Sequence, residues 1–106
     1  MNDLLIRGAM VYDGTGAAGR LADVSVRDGR IASIDAAGTA GAARETVDAA
    51  GLALMPGIVD NHTHYDAQVT WDPLCTPSPM LGVTTAVIGN CGFTIAPCRP
   101  GDRELI

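Results

Sequence analysis

The sequence predicts an α/β fold joined to a β-rich part. A small antiparallel sheet or half-sandwich is expected over residues 1–55, and the start of a parallel α/β sheet or barrel over residues 56–106. Three observations support this fold class. Two alternating runs flank Asp28-Gly29, the character of the sequence changes at Pro56-Gly57, and two later apolar runs end in polar residues. We therefore place the domain boundary between residues 55 and 56.

The first half consists of short predicted strands separated by turns. Residues 23–27 and 30–34 are β-type runs, and only Asp28-Gly29 separates them. This dipeptide readily adopts the positive φ that a tight turn requires, so the two runs form a β-hairpin. Further short strands are expected at residues 4–7, 10–12, 46–48 and 52–55, with a loop over residues 36–43.

The second half contains two predicted strands of the fully buried kind. Residues 58–64 begin apolar and end polar, and residues 82–89 are uncharged and rich in β-branched side chains. Such runs are typical of parallel strands that are covered on both faces. In parallel α/β folds the reactive groups lie at the carboxyl ends of strands, which makes the residues after each strand candidate site residues. A complete (β/α)₈ barrel needs about 250 residues, and this chain has 106.

Three side chains at these strand ends are candidate metal ligands. His62 and His64 are the two histidines of the chain. At a spacing of two along a strand their imidazoles point to the same side, as two ligands of one ion such as Zn²⁺ do. Cys91 follows the second strand, and its thiolate can complete the site. Other interpretations stay open: the histidines are polar residues at a strand exit, and Cys91 is a small buried apolar side chain. Cys75 and Cys98 are predicted to be non-functional.

The composition argues against several classes of function. The net charge is −5, and only 4% of the residues are aromatic, which speaks against a nucleic-acid interface. No window approaches the roughly 20 apolar residues of a membrane span, and the first residues lack the features of a signal peptide. The three cysteines form no CxxC pair. Their number and spacing argue against a disulfide framework and predict a cytoplasmic protein.

Several motifs together resemble a known family. Residues 56–64, PGIVDNHTH, resemble the PGxxDxHxH signature of the amidohydrolase superfamily. HTHYDAQVTWDP at 62–73, GVTT at 82–85 and GNCGF at 89–93 are similar to the N-acyl-D-amino-acid deacylase (D-aminoacylase) family. The likeness covers essentially the whole chain. It implies part of a small β-sandwich over residues 1–55, followed by the first two strands of a metal-dependent (β/α)₈, TIM-like barrel, incomplete in this chain.

The resemblance also implies a reaction and a site. An N-acyl-D-amino acid would be cleaved to a carboxylate and a D-amino acid by water that Zn²⁺ activates, with one or two ions in the complete enzyme. His62 and His64 would form one metal position, and Cys91 would be a further ligand. The other ligands and the general base are expected beyond residue 106, so this chain is assigned no catalytic residue. We therefore expect an N-terminal fragment that is inactive alone and is completed by a C-terminal portion.

Two alternatives and one additional residue complete the hypothesis. Within the same superfamily, one alternative is a cyclic-amide hydrolase similar to dihydropyrimidinase or dihydroorotase. Residues 65–73 and Cys91 count against this alternative. A non-catalytic domain that binds a metal ion or a partner protein is the other alternative. Asp66 is a candidate for orienting a ligating imidazole, or else it caps a turn.

Overall fold

The computed structural model describes residues 1–91, 94 and 97–104. The chain divides into two compact units, Met1–Pro56 and Gly57–Ile106. The first contains β1 (Asn2–Val11), β2 (Arg20–Arg27), β3 (Arg30–Ala36), β4 (Ala43–Asp48) and β5 (Ala53–Leu54). The second contains β6 (Ile58–Asp60), α1 (Tyr65–Gln68), a 3₁₀ turn (Ser78–Leu81), β7 (Val83–Ala86) and a second 3₁₀ turn (Pro100–Asp102). Over the described residues, no helix combines the length and apolar character needed to cross a membrane.

The sheet of the first unit is built around β1. Its strand order is β3-β2-β1-β4, and β5 pairs with β1 beyond the end of β4. The predicted hairpin is confirmed: β2 and β3 pair antiparallel across Asp28 and Gly29, whose φ angles are 51° and 69°. Positive φ at both central residues matches the right-handed twist of the flanking strands, so the local sequence is sufficient to specify this turn.

The prediction that this sheet is antiparallel was wrong for its last two strands. Both β4 and β5 run parallel to β1. After the hairpin the chain crosses to the far edge of β1, and it therefore enters β4 in the direction of β1. Parallel neighbouring strands require such a crossover connection. The residue pattern within β4 does not indicate that a crossover precedes it.

Asp23 on β2 holds this crossover in place. Its carboxylate is almost fully buried and accepts hydrogen bonds from the backbone N–H groups of Gly8 (2.9 Å), Gly38 (2.8 Å) and Ala40 (3.3 Å). The N–H of Gly8, ahead of the other two, stabilises the charged form and lowers the pKa of Asp23 below its usual value. One buried charge thus joins β1, β2 and the crossing segment.

The core of the first unit consists of small side chains. Ala9 on β1 lies opposite Ala22 on β2, and both are almost fully buried. The buried cluster is Ala9, Val11, Ala22, Val24 and Ala49, with Ile6, Ile34 and Leu54 packed against it. An apolar cavity of about 220 Å³ lies beside these residues and is lined by Ile6, Val24, Ile34 and Leu54 among others. Part of the apolar surface on one face of the sheet is therefore left uncovered by the described residues of this unit.

The second unit confirms the predicted parallel pairing but not the predicted burial. Strands β6 and β7 pair parallel, with Ile58 opposite Val83 and Asp60 opposite Ala86. The exposed fractions of Ile58 and Val59 are 49% and 62%, so the expectation of buried strands is wrong for this structure. A strand is buried on both faces only when other layers cover it, and the described elements around β6 and β7 are short. The domain assignments at 1–55 and 56–106 stay predictions, as do the sandwich and the barrel.

Candidate metal centre

The two histidines follow β6 directly. This strand ends at Asp60, so it is shorter than the predicted strand over residues 58–64. The Asp60 carboxylate accepts a hydrogen bond from the backbone N–H of His62 (3.2 Å), which fixes the turn out of the strand. The rings of His62 and His64 are stacked, with centroids 5.9 Å apart and planes 19° apart. Thr63 between them is buried, whereas both histidines are exposed. The imidazoles therefore lie together on one side, and Thr63 is turned towards the interior.

Cys91 lies beside these rings. The nitrogen atoms of His62 and His64 and the sulfur of Cys91 offer one ligand atom each, and these atoms lie within 4.8 Å of one another. All three residues are exposed, so the cluster is open to solvent. Gly92 and Phe93, which complete the GNCGF motif, lie outside the described residues. The structure thus places the three predicted ligands next to each other at the carboxyl ends of two parallel strands.

The donor set and its spacing fit a zinc ion. Zinc bonds of 2.0–2.3 Å in tetrahedral geometry put neighbouring nitrogen and sulfur ligands about 3.4–3.6 Å apart. The observed limit of 4.8 Å exceeds this by about 1 Å, which small side-chain rotations can close. Two imidazoles and a thiolate are typical of zinc, whereas Mg²⁺ and Ca²⁺ prefer oxygen ligands. The residues present therefore fit a soft or borderline metal ion.

The remaining candidate residues lie outside this cluster. Asp66 is buried in α1, and its carboxylate is 3.7 Å from the point where a β-carbon on Gly89 would lie. Among the hydrogen bonds of residues 1–91, 94 and 97–104, none joins Asp66 to a histidine, and its role in orienting an imidazole stays a prediction. Cys75 and Cys98 carry free, half-buried thiols and are not members of the three-residue cluster.

Asp72 fixes the segment that follows α1. Its carboxylate accepts hydrogen bonds from the Thr76 hydroxyl (2.7 Å), the Thr76 N–H (2.7 Å), the Gln68 side chain (3.2 Å) and the Leu74 N–H (3.2 Å). The Thr76 hydroxyl, as the first of these donors, lowers the pKa of Asp72. The Tyr65 hydroxyl is also hydrogen bonded to the Ser78 hydroxyl. These hydrogen bonds all lie within residues 65–78, and none of them involves one of the three candidate ligands.

Sequence reasoning missed two residues at this site. The Thr63 hydroxyl donates to the carbonyl oxygen of Val87 (2.8 Å), and the Asn90 side-chain amide donates to the carbonyl oxygen of Asn61. Each bond joins the segment of the histidines to the segment of the cysteine. The sequence did contain a signal for Thr63. Side chains alternate along an extended segment, so a residue between two histidines that point to one side must point to the other, towards the interior. Nothing local indicated the partner of Asn90.

The chain is similar to known proteins in both sequence and structure. A sequence model of the amidohydrolase family matches residues 45–105, more than half of the chain. The chain belongs to the amidohydrolase family. The N-acyl-D-aspartate deacylase of Alcaligenes xylosoxydans xylosoxydans is 44% identical to this amidohydrolase over 96 residues, which are 90% of this chain and 19% of that protein. This chain therefore spans about a fifth of the length of the curated relatives it matches.

Two solved structures resemble this amidohydrolase closely. A crystal structure of D-aminoacylase matches 99% of this chain and 23% of its own, with 42% identity and a TM-score of 0.83. The N-acyl-D-glutamate deacylase of Bordetella bronchiseptica matches 95% of this chain and 21% of its own, with 43% identity and a TM-score of 0.82. That deacylase was crystallised with zinc and a phosphonate inhibitor that mimics the tetrahedral intermediate of the reaction.

Proposed function

We propose that this chain supplies zinc ligands to an N-acyl-D-amino-acid deacylase, which hydrolyses the amide bond of an N-acyl-D-amino acid to release a carboxylate and a D-amino acid. The observation that carries the proposal is the meeting of His62, His64 and Cys91 with ligand atoms within 4.8 Å. Support comes from the similar deacylase that binds zinc and a mimic of the tetrahedral intermediate. The names of the relatives favour a linear amide over a cyclic one.

The proposed architecture follows from the same likeness. Residues 1–55 would form part of a β-sandwich, and residues 56–106 the first two strands of a (β/α)₈ barrel. The apolar cavity on the sheet of the first unit and the exposed Ile58 and Val59 support this, because both surfaces suit burial by a further layer. Parallel pairing of β6 and β7 fits the beginning of a barrel.

The roles of this chain's residues follow from their chemistry. His62 and His64 would hold the ion through neutral imidazole nitrogens, and Cys91 through its thiolate. A zinc ion at this position would lower the pKa of coordinated water towards about 7 and polarise the amide carbonyl. Asp66 is a candidate for orienting an imidazole. The general base and further ligands are expected in a further portion of polypeptide, so the 106-residue chain is expected to show no turnover by itself.

Zinc binding to the 106-residue chain tests the proposal directly. We expect equilibrium dialysis followed by elemental analysis to give about one zinc ion per chain. Replacing Cys91 with Ser removes one of three ligands. Structural zinc sites contribute about 10–16 kcal/mol over four ligands, so losing one ligand should weaken binding by about two to three decades. Cys75→Ser is the matched control, because this thiol lies outside the cluster, and it should leave the affinity unchanged.

Two results would each contradict a part of this proposal, and two more would favour an alternative function. Equal zinc binding by Cys91→Ser and the control would remove the thiol from the site. Release of a D-amino acid by the chain alone, measured with N-acetyl-D-amino acids, would contradict the assignment of the base to another portion. Hydrolysis of a cyclic amide but not of N-acyl-D-amino acids by an assembled enzyme would favour the cyclic-amide alternative. A chain that binds zinc but supports neither reaction when assembled would favour a non-catalytic metal-binding domain.

A further inference from the structure

The two ligand-bearing segments are joined beyond the end of the strand pair. The described ladder of β6 and β7 ends with Asp60 opposite Ala86. One further backbone bond follows, from the N–H of Val87 to the carbonyl of Asp60 (2.8 Å). The candidate ligands come later in both segments, at His62 and His64 on one side and at Cys91 on the other. Their separation therefore depends on contacts other than the ladder.

Thr63 provides the first of these contacts. The residue is 6% exposed, and its hydroxyl donates to the carbonyl oxygen of Val87 at 2.8 Å. The N–H of Val87 thus donates to the carbonyl oxygen of Asp60, and the carbonyl oxygen of Val87 accepts from the Thr63 hydroxyl. Residues 60 and 63 are therefore both hydrogen bonded to this one residue. Since Thr63 lies between the histidines in sequence, this bond holds the backbone that carries both imidazoles.

Asn90 provides the second contact. Its side-chain amide donates to the carbonyl oxygen of Asn61. Asn61 immediately precedes His62, and Asn90 immediately precedes Cys91. The bond therefore connects the residues adjacent to two ligands from different segments. An exposed loop without such a connection would have to lose conformational freedom when an ion binds.

We propose that Thr63 and Asn90 are positioning residues that set the distance between the Cys91 sulfur and the two imidazoles before a metal ion binds. This inference rests on the proposed metal site. Both side chains act through hydrogen bonds to backbone carbonyls, and neither is a ligand. The outer partners of metal ligands change metal affinity by about 10–100-fold when they are removed, which is the effect expected here. Loss of the Thr63 contact should loosen both histidines, whereas loss of the Asn90 contact should free mainly Cys91.

Cobalt(II) titration of the 106-residue chain separates positioning from simple stabilisation. Thiolate ligation gives a charge-transfer band in the near ultraviolet, so the spectrum reports the cobalt–sulfur bond itself. We expect Thr63→Val, which keeps the shape but loses the donor, to weaken cobalt binding about 10–100-fold. Thr63→Ser keeps a hydroxyl and should restore the affinity. Thr70→Val is the matched control, because the Thr70 hydroxyl donates to the carbonyl of Ala67 (2.7 Å) within a local turn. It should bind cobalt like the wild type.

Asn90→Ala gives an independent measurement at an exposed position, where a loss of folding is not expected. We expect weaker cobalt binding and a reduced charge-transfer band per bound ion. If Thr63→Val fails to fold by circular dichroism, the result with Asn90→Ala decides. Affinities and spectra of Thr63→Val and Asn90→Ala equal to those of Thr70→Val would refute the positioning role while leaving the metal site intact. Absence of the band in the wild-type chain would instead refute the proposed metal site.

Discussion

Replacing Gly57 with Ala should weaken the pairing of β6 and β7, the two strands that precede the candidate metal ligands. Gly57 immediately precedes β6, and a β-carbon built on it would lie 2.7 Å from the β-carbon of Thr84 and closer still to its Oγ1 and Cγ2 atoms. Thr84 is the extra residue of β7 where the register with β6 shifts, because Ile58 lies opposite Val83 and Val59 opposite Thr85. Rotation of the Thr84 side chain cannot move its β-carbon, so the backbones must separate.

The size of the effect follows from this overlap. Inserting a methyl group into a filled space costs about 1–3 kcal/mol, which corresponds to about a 5–150-fold change in a local opening equilibrium. Two amides report that equilibrium: Ile58 donates to Gly82 (3.0 Å), and Val87 donates to Asp60 (2.8 Å). Hydrogen exchange measured by NMR should therefore be faster at Ile58 and Val87 by that factor.

Two comparisons make this prediction specific. Gly101→Ala lies in the same unit, and no atom of the described residues lies within 4 Å of the added carbon. This variant should leave both exchange rates unchanged. In the double variant Gly57→Ala/Thr84→Gly the clashing atoms are gone, and the defect should largely disappear although Thr84→Gly alone costs about 0.5–1 kcal/mol. Unchanged exchange at Ile58 and Val87 in Gly57→Ala would refute the close approach of β6 and β7.

Two predictions concern the first unit. Asp23→Asn should lower the melting temperature at pH 7, because an amide offers one acceptor oxygen where the carboxylate uses both. The folded-state pKa of Asp23 is lowered, so the stability that its carboxylate contributes is present above about pH 4 and is lost as the pH falls through the folded-state value. In thermal melts from pH 2 to 7, the melting temperature of Asp23→Asn should therefore fall less steeply with acidification than that of the wild type. An equal slope in both proteins would contradict this. Ala9→Leu should destabilise the unit by about 1–3 kcal/mol in urea titrations, since Ala9 is fully buried against Ala22. The same change at the exposed Ala53 should cost much less, and equal costs would argue against this core.

The predictions that the structure confirmed depend on short-range chemistry. Asp28 and Gly29 specify the hairpin because their backbone preferences match the turn. Their φ angles of 51° and 69° bear this out. The apolar start of residues 58–64 and the uncharged, β-branched run at residues 82–89 predicted parallel strands for the same kind of reason. These features depend on a few neighbouring residues, so the linear sequence contains enough information to predict them.

The errors in prediction arose where distant segments decide the structure. The direction of β4 depends on the crossover that Asp23 holds, and the sequence of β4 itself is compatible with either direction. The apolar side chains of Ile58 and Val59 predicted burial, but burial requires a covering layer, and a strand's own residues do not indicate whether one is present.

For the candidate site, the sequence by itself determined the chemistry: two imidazoles at a spacing of two, a thiol after a second strand, and motifs that resemble one family. Only the tertiary structure decided that these three side chains meet, and that Thr63 and Asn90 join the segments that carry them. The physical reason is that donor types are properties of single residues, whereas distances between ligands depend on strand pairing and on hydrogen bonds between residues 24 and 29 positions apart.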